Sequence, residues 1–176
     1  MLQCYTGNGK GKTTAALGLV MRAIGAGKRV AWVAFDKGGE DHYSERKTIL
    51  ERFPDMEFYP TGLDRIDPQT KKFRFGVTDL DRLEGERALE IVKGLLNEAR
   101  HDLVILDEIN SSVSLGIADE LRALELLQNR KPEIEIVLTG RDAPKSFLDM
   151  ADLITDMTLV EHYFYHGTQA REGYDF

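Results

Sequence analysis

The chain has 176 residues, 42% of them hydrophobic, enough for one core of ordinary size and too few for two comfortable domains, so a single domain over 1–176 is expected. A net charge of -7, from 23 basic and 30 acidic residues, excludes broad electrostatic attraction to nucleic acid or anionic membrane. One cysteine, Cys4, excludes an internal disulfide, and no stretch approaches the roughly 20 apolar residues of a membrane span.

The chain enters directly on a strand-like apolar run, residues 2–5, with no charged leader, and a cytoplasmic protein is expected. Cys4 in that run reads as a small core residue rather than a reactive thiol or metal ligand. Residues 13–24 repeat apolar side chains at helical spacing and stop at Gly25 and Gly27. A strand follows at 29–35, with Trp32 as a core residue. The charged stretch 36–46 contains Gly38 and Gly39 and reads either as a mobile loop or, in its second half, as a solvated helix start. Another strand is expected at 56–59. The interval 60–77 then breaks the pattern with prolines, glycines and charges, the form of a binding loop or of a plain flexible excursion. A long helix at 80–99, a strand at 103–106, a helix at 118–128 and a strand at 134–138 complete the alternation. Strands alternating with helices define the α/β class, here three layers with a mostly parallel sheet covered on both faces. His162 and His166 stand four apart, but the intervening aromatics and Gly167 favour an aromatic strand or turn over a metal chelate.

Between the first strand and first helix lies Thr6 to Thr14 (TGNGKGKTT). Gly7, Gly9 and Gly11 let the backbone curl so that several N–H groups face one anion, and the following helix start adds positive potential. Lys12 can reach phosphate oxygens, and the Thr13 hydroxyl can ligate magnesium. Thr6 stands where the first glycine of G-x-x-x-x-G-K-[ST] would be, so the match is one residue short. Downstream, the apolar run 103–106 ends in Asp107 and Glu108, an acidic pair suited to completing a magnesium shell with Thr13. Spacing does not decide which carboxylate makes the contact.

The chain resembles the P-loop ATP:corrinoid adenosyltransferase family along essentially its whole length. The resemblance rests on Thr6 to Ala16, on Arg22 to Gly25 with Gly27 and Lys28, on Phe35 with Lys37 and Gly38, and on Val104 to Glu108. Further matches are Thr139, Gly140 and Arg141, Ala151 to Leu153, His162, Gly167, Ala170, Gly173 and Tyr174 to Phe176. It implies transfer of the 5′-deoxyadenosyl group of ATP to a reduced corrinoid with triphosphate leaving, the triphosphate lying reversed relative to ordinary NTPases. It further implies that Gly7, Asn8, Gly9, Lys10, Gly11, Lys12, Thr13 and Thr14 hold the nucleotide, with Arg22 and Arg141 nearby. Thr13 with Asp107 or Glu108 would hold Mg2+, and Lys12, Thr13 and Glu108 would act on the reacting groups. Arg22 has the alternative of a solvated surface arginine. A homodimer and an electron-donor flavoprotein partner belong to the same expectation.

The sequence departs from the family where an aromatic Thr-Gly-Phe-Thr-Trp stretch would wall the corrinoid: here Thr61 to Arg65 reads TGLDR. The resemblance then puts Arg22, Leu63 and Arg65 at the corrinoid, and loss of the aromatic wall should weaken stabilisation of an unligated Co(II) centre unless Phe73, Phe75 or another side chain of the loop substitutes. Glu161 and Arg171 replace a typical lysine and glutamine, and only five residues precede Thr6, where many members carry an extension. A P-loop ATPase or phosphotransferase that lost corrinoid chemistry, or a nucleotide sensor, are the alternative functions.

Overall fold

The computed structural model describes residues 1–39, 43–65, 69 and 74–175. The strands are β1 (Leu2–Thr6), β2 (Val30–Ala34), β3 (Glu57–Pro60), β4 (Leu103–Asp107), β5 (Glu135–Thr139) and β6 (Leu153–Asp156). They form one sheet in the order β3-β2-β4-β5-β1-β6, and every pairing is parallel. The helices are α1 (Lys12–Gly25), α2 (Ser44–Arg52), α3 (Asp79–Glu98), α4 (Ile109–Ser114), α5 (Glu120–Gln128) and α6 (Lys145–Met150). A 3-10 turn covers Tyr163–His166. The expected α/β fold with a P-loop-type parallel sheet is therefore what the chain adopts.

Because strand side chains alternate between faces, the sheet divides the apolar residues into two cores. Ala31, Val33, Val104, Leu106, Ile136 and Leu138 pack with Leu89 and Val92 of α3, Ile109 of α4, Leu127 of α5 and Phe147 of α6. Trp32, Ala34, Ile105 and Val137 point the other way, against Ala16 and Val20 of α1 and Ile49 of α2. Burial on both faces is why β2 and β4 read as continuous apolar runs rather than alternating ones. Trp32 and Cys4 are core residues, as expected.

Helix starts follow local chemistry. α3 begins with a reciprocal capping box: the Thr78 hydroxyl accepts from the Asp81 N–H, and the Asp81 carboxylate accepts from the Thr78 N–H at 2.7 Å. Hydrogen bonds from Arg74, then burial acting the other way, then the Thr78 hydroxyl and N–H hold the Asp81 carboxyl well below its usual range. α5 starts on Asp119, whose side chain accepts from the Arg122 N–H.

The parallel register brings the C-terminal ends of β1, β2, β4 and β5 to one edge, with Tyr5 opposite Thr139 and Ala34 opposite Asp107. Ligands of open α/β sheets collect at such an edge. Three segments were not among the expected elements: α4, α6 and β6. Each is four to six residues long, and β6 is an exposed edge strand, so none carries a readable hydrophobic period. For the second half of 36–46 the helix-start alternative is the one the chain takes, α2 starting at Ser44.

Candidate active site

A cavity of about 730 Å3 opens at this sheet edge, walled by the glycine-rich loop after β1, by Lys37, Tyr43, Glu108 and Arg141, and by the C-terminal segment. Its glycines answer a packing constraint as well as a conformational one. Gly7 has φ 93°, and a Cβ there would lie 2.1 Å from Asp156 Oδ1. At Gly9 a Cβ would lie 2.5 Å from the Met157 carbonyl oxygen, which the Gly9 N–H uses as its acceptor at 2.6 Å. The chain after β6 thus braces the loop from behind.

Lys12 opens α1 and is buried. Its ammonium donates to the Gly7 and Gly9 carbonyls, both at 2.7 Å, closing the loop over itself. Two of three ammonium donors are so engaged, leaving one for an anion. Burial depresses the Lys12 pKa below its ordinary value, Glu108 opposes that, and the positive charge of Arg141 adds to it.

Beside it, the ends of α1, β4 and β5 meet in one hydrogen-bonded group. Asp107, 1% exposed, accepts on Oδ1 from Thr13 at 3.0 Å and from Thr139 at 2.5 Å. The Thr139 hydroxyl also accepts the Glu108 N–H at 3.0 Å, so the last residue of β5 sets the turn after β4. Glu108 adopts φ 61°, a conformation costly for a residue with a side chain and often met at functional sites. Its carboxylate stands at the cavity wall and accepts from Ser111 Oγ at 2.5 Å. Lys37 completes the group, donating to Asp107 Oδ2 at 2.6 Å and Thr13 Oγ1 at 3.2 Å, with Glu108 Oε1 at 3.9 Å. Burial alone would lower the Lys37 pKa, but Asp107 and Glu108 overcome that and hold it above its ordinary value, fully charged.

Hydroxyl and carboxylate oxygens converging at a strand edge are the donor set of a hard divalent ion. The fit of this set to a cation is shown by the ammonium that it already holds. Asp107 makes the contact with Thr13, and Glu108 lies one step nearer the cavity. Among the described residues no group of three or more His, Cys, Asp and Glu side chains forms a metal cluster, so any ion here depends on Thr13 and on the ligand that it accompanies.

The far wall is the C-terminal segment. Asp175 accepts from Lys10 Nζ at 2.5 Å, from the Tyr163 hydroxyl, and from the Arg171 N–H at 2.9 Å. Lys10 also donates to the Tyr174 carbonyl. Arg171 lies over Tyr163 with its guanidinium carbon 4.6 Å from the ring centroid. The hydrogen bond from Lys10, then that from Tyr163, holds the Asp175 carboxyl well below its usual range.

Of the residues singled out in the sequence, Asn8, Gly9, Lys10, Gly11, Lys12, Thr13, Thr14, Glu108 and Arg141 line the cavity. Gly7 and Asp107 lie directly behind that lining, bonded to Lys12 and Thr13. Arg22 sits exposed on the last turn of α1 and does not line it. Leu63 and Arg65 are also outside the lining. Arg65 is committed to a bidentate pair with Asp36 at 2.8 and 2.9 Å and lies 3.7 Å from Asp81. Phe75 is 86% exposed, and Phe73 lies outside the described residues. The 60–77 interval begins in β3 and then buttresses the site: Thr61 donates N–H and hydroxyl to the Ala34 carbonyl and accepts the Lys37 N–H at 2.9 Å.

Two positions of this arrangement carried no assigned role in the sequence. Lys37 and Asp175 had only their matches to the family pattern, and Asp175 lies 165 residues from the lysine that it binds. His162 caps the 3-10 turn by accepting from the Phe164 N–H, so the segment between the two histidines is a turn, one of the two forms expected of it.

A glycine-rich loop closed by a buried lysine, at the C-terminal edge of a parallel sheet and beside the hydrogen-bonded group of Thr13, Asp107 and Lys37, defines a protein of the P-loop class. The whole chain, residues 1–176, matches the family described as ATP:corrinoid adenosyltransferase BtuR/CobO/CobP, and it belongs to that family of enzymes. It is 35% identical over 175 residues to the corrinoid adenosyltransferase of a Sinorhizobium species, covering 97% of this chain and 78% of that protein. It is 33% identical to the corrinoid adenosyltransferase of Pseudomonas aeruginosa, covering 100% of this chain and 83% of the relative. For the corrinoid adenosyltransferase of Escherichia coli K12 the identity is 30%, covering 98% and 83%.

Proposed function

We propose that the chain transfers the 5′-deoxyadenosyl group of ATP to the cobalt of a reduced corrinoid. In the reaction the Co(I) electron pair forms a bond to C5′, the C5′–O bond breaks, and inorganic triphosphate leaves with that electron pair. The observation that carries the reading is the juxtaposition of the Lys12-closed loop with the Thr13–Asp107–Glu108 oxygen set in one cavity. Cobalt is itself the nucleophile, so no protein nucleophile is needed. The task left to the protein is to hold and neutralise a leaving polyanion.

Loop N–H groups from Asn8 to Thr14 and the Lys12 ammonium bind the triphosphate, with Lys10 and Arg141 supplying charge at its rim. Thr13 and Asp107, with Glu108 next to them, hold Mg2+. When bound, that ion contributes Lewis-acid stabilisation of the leaving phosphate charge. Glu108, in its high-energy backbone conformation, lines the same cavity. Arg22, Leu63 and Arg65 contact the corrinoid only if the second substrate extends beyond the cavity lining.

Generating Co(I) needs a strong one-electron donor, which places an electron-donor flavoprotein beside a single-domain cytoplasmic enzyme, working as a homodimer in adenosylcobalamin biosynthesis or salvage. The net charge of -7 supports neither a nucleic-acid nor a membrane partner, and among the described residues no helix is long and apolar enough to cross a membrane.

The test is anaerobic incubation with MgATP, a strong reductant and cobalamin or its incomplete precursors, following the corrinoid spectrum and assaying triphosphate. Adenosylated corrinoid with stoichiometric triphosphate is expected. ADP and phosphate would make the protein a hydrolase, and unchanged ATP a nucleotide sensor. In the same assay Lys12→Ala is expected to lose ATP binding and transfer together; normal turnover would show that the loop is misassigned.

A further inference from the structure

Lys37 has no assigned part in the transfer, yet its ammonium is held in the cavity wall on Asp107 at 2.6 Å. Its backbone is fixed on both sides: the N–H donates to Thr61, and the carbonyl accepts from Arg46, which stacks over Tyr43 at 4.2 Å. Gly38 permits this placement, since a Cβ there would lie 2.3 Å from the Gly62 carbonyl oxygen. The side chain, 13% exposed, then has one destination, the group of oxygens formed by Asp107, Thr13 and Glu108. These are the same oxygens that suit a divalent ion, and two cations cannot share one such set against their mutual repulsion.

We propose that Lys37 is the resident cation of this oxygen set, and that it changes places with the divalent ion when metal and polyphosphate enter, its ammonium passing to a phosphate oxygen. The exchange rests on the nucleotide site proposed above. Its consequence is a coupling between two ligands. A divalent ion arriving alone must break the Lys37–Asp107 pair and leave a buried ammonium without a partner. An ion arriving with a polyanion supplies that partner. Lys37 therefore opposes metal binding alone and favours metal binding together with triphosphate, a reciprocal linkage. In this role it is a positioning residue for the metal–nucleotide complex.

The decisive measurement is Mn2+ binding by electron paramagnetic resonance, with and without inorganic tripolyphosphate, for the wild type, Lys37→Met and Lys10→Met. Lys37→Met is expected to bind Mn2+ alone about tenfold more tightly than wild type, and to lose most of the enhancement that tripolyphosphate gives. Lys10→Met, which removes the same charge from the rim without touching the oxygen set, is expected to change the affinity for Mn2+ alone far less. Unchanged or weaker Mn2+ binding by Lys37→Met overturns the proposal, as does an equal gain in both variants, which would be a general charge effect. Should Lys37→Met fail to fold, a crystal structure of the wild type with Mg2+ and tripolyphosphate decides: Lys37 is expected on a phosphate oxygen and out of reach of Thr13. Lys37 still bridging Thr13 and Asp107 in that complex overturns the exchange alone. Absence of any binding of ATP or tripolyphosphate to the wild type overturns the proposed function with it.

Discussion

The two walls of the cavity are built on opposite principles. The sheet-side wall places Asp107, Thr139 and Lys12 in the interior, each tied by hydrogen bonds of 2.5–3.0 Å to groups on other elements. The C-terminal wall hangs on one carboxylate, Asp175, that gathers Lys10, Tyr163 and Arg171 at the surface. In the first wall the site and the fold share the same bonds, so damage to one is damage to the other. In the second, solvent and salt screen the contacts, and the wall can loosen while the core stays intact.

The largest effect that separates the walls is expected from Asp107→Ala, which strands the Lys37 ammonium and the Thr139 hydroxyl. A loss of roughly 3–5 kcal/mol is expected, read from urea unfolding, together with loss of transfer. A stability change near zero would show that the sheet-side wall is independent of the fold. Next is Gly9→Ala, whose new methyl meets the Met157 carbonyl oxygen at 2.5 Å. The loop must shift, with about 1–3 kcal/mol lost and a raised KM for ATP; unchanged values for both would remove the brace after β6 from the account.

Asp175→Asn is expected to have the smallest effect on unfolding and the largest on the tail. Limited proteolysis after residue 160 should become faster, while the urea midpoint stays where it is. Adding salt to the wild type should act in the same direction. The pH dependence has a definite sign. A carboxyl whose folded pKa is depressed contributes stability above its unfolded value, and that contribution disappears only as pH falls through the lower folded value. The part of tail protection that Asp175 supplies, read as the difference between wild type and Asp175→Asn, should therefore be constant from pH 8 to pH 5 and fail only in strong acid. Loss of that difference near neutral pH would mean that Asp175 is not what holds the segment.

Much of the sheet-side wall was legible in advance because its parts are local. Residues 6–14 contain the loop, the lysine and the threonine in one window, and the apolar run of β4 announces the carboxylates that follow it. What could not be read was how these pieces are joined. Thr139, at the end of β5, bridges Asp107 and the Glu108 N–H across 32 and 31 residues of sequence, a link that exists only because β4 and β5 are parallel neighbours. Arg65 shows the same limit from the other side. Its position suggested a corrinoid contact, whereas Asp36 and Asp81 draw it into an ion-pair group beside the loop.

Local pattern by itself determined the α/β class, the glycine-rich loop, its lysine and the acidic strand end, because strand alternation, helical period and turn chemistry act over a few residues. Tertiary structure alone decided that Lys37 enters the oxygen set, that the chain after β6 supports Gly7 and Gly9, and that Asp175 returns to Lys10. Each of these contacts depends on long-range closure of the chain, and side-chain charge gives no sign of its partner until the sheet order has brought the two together.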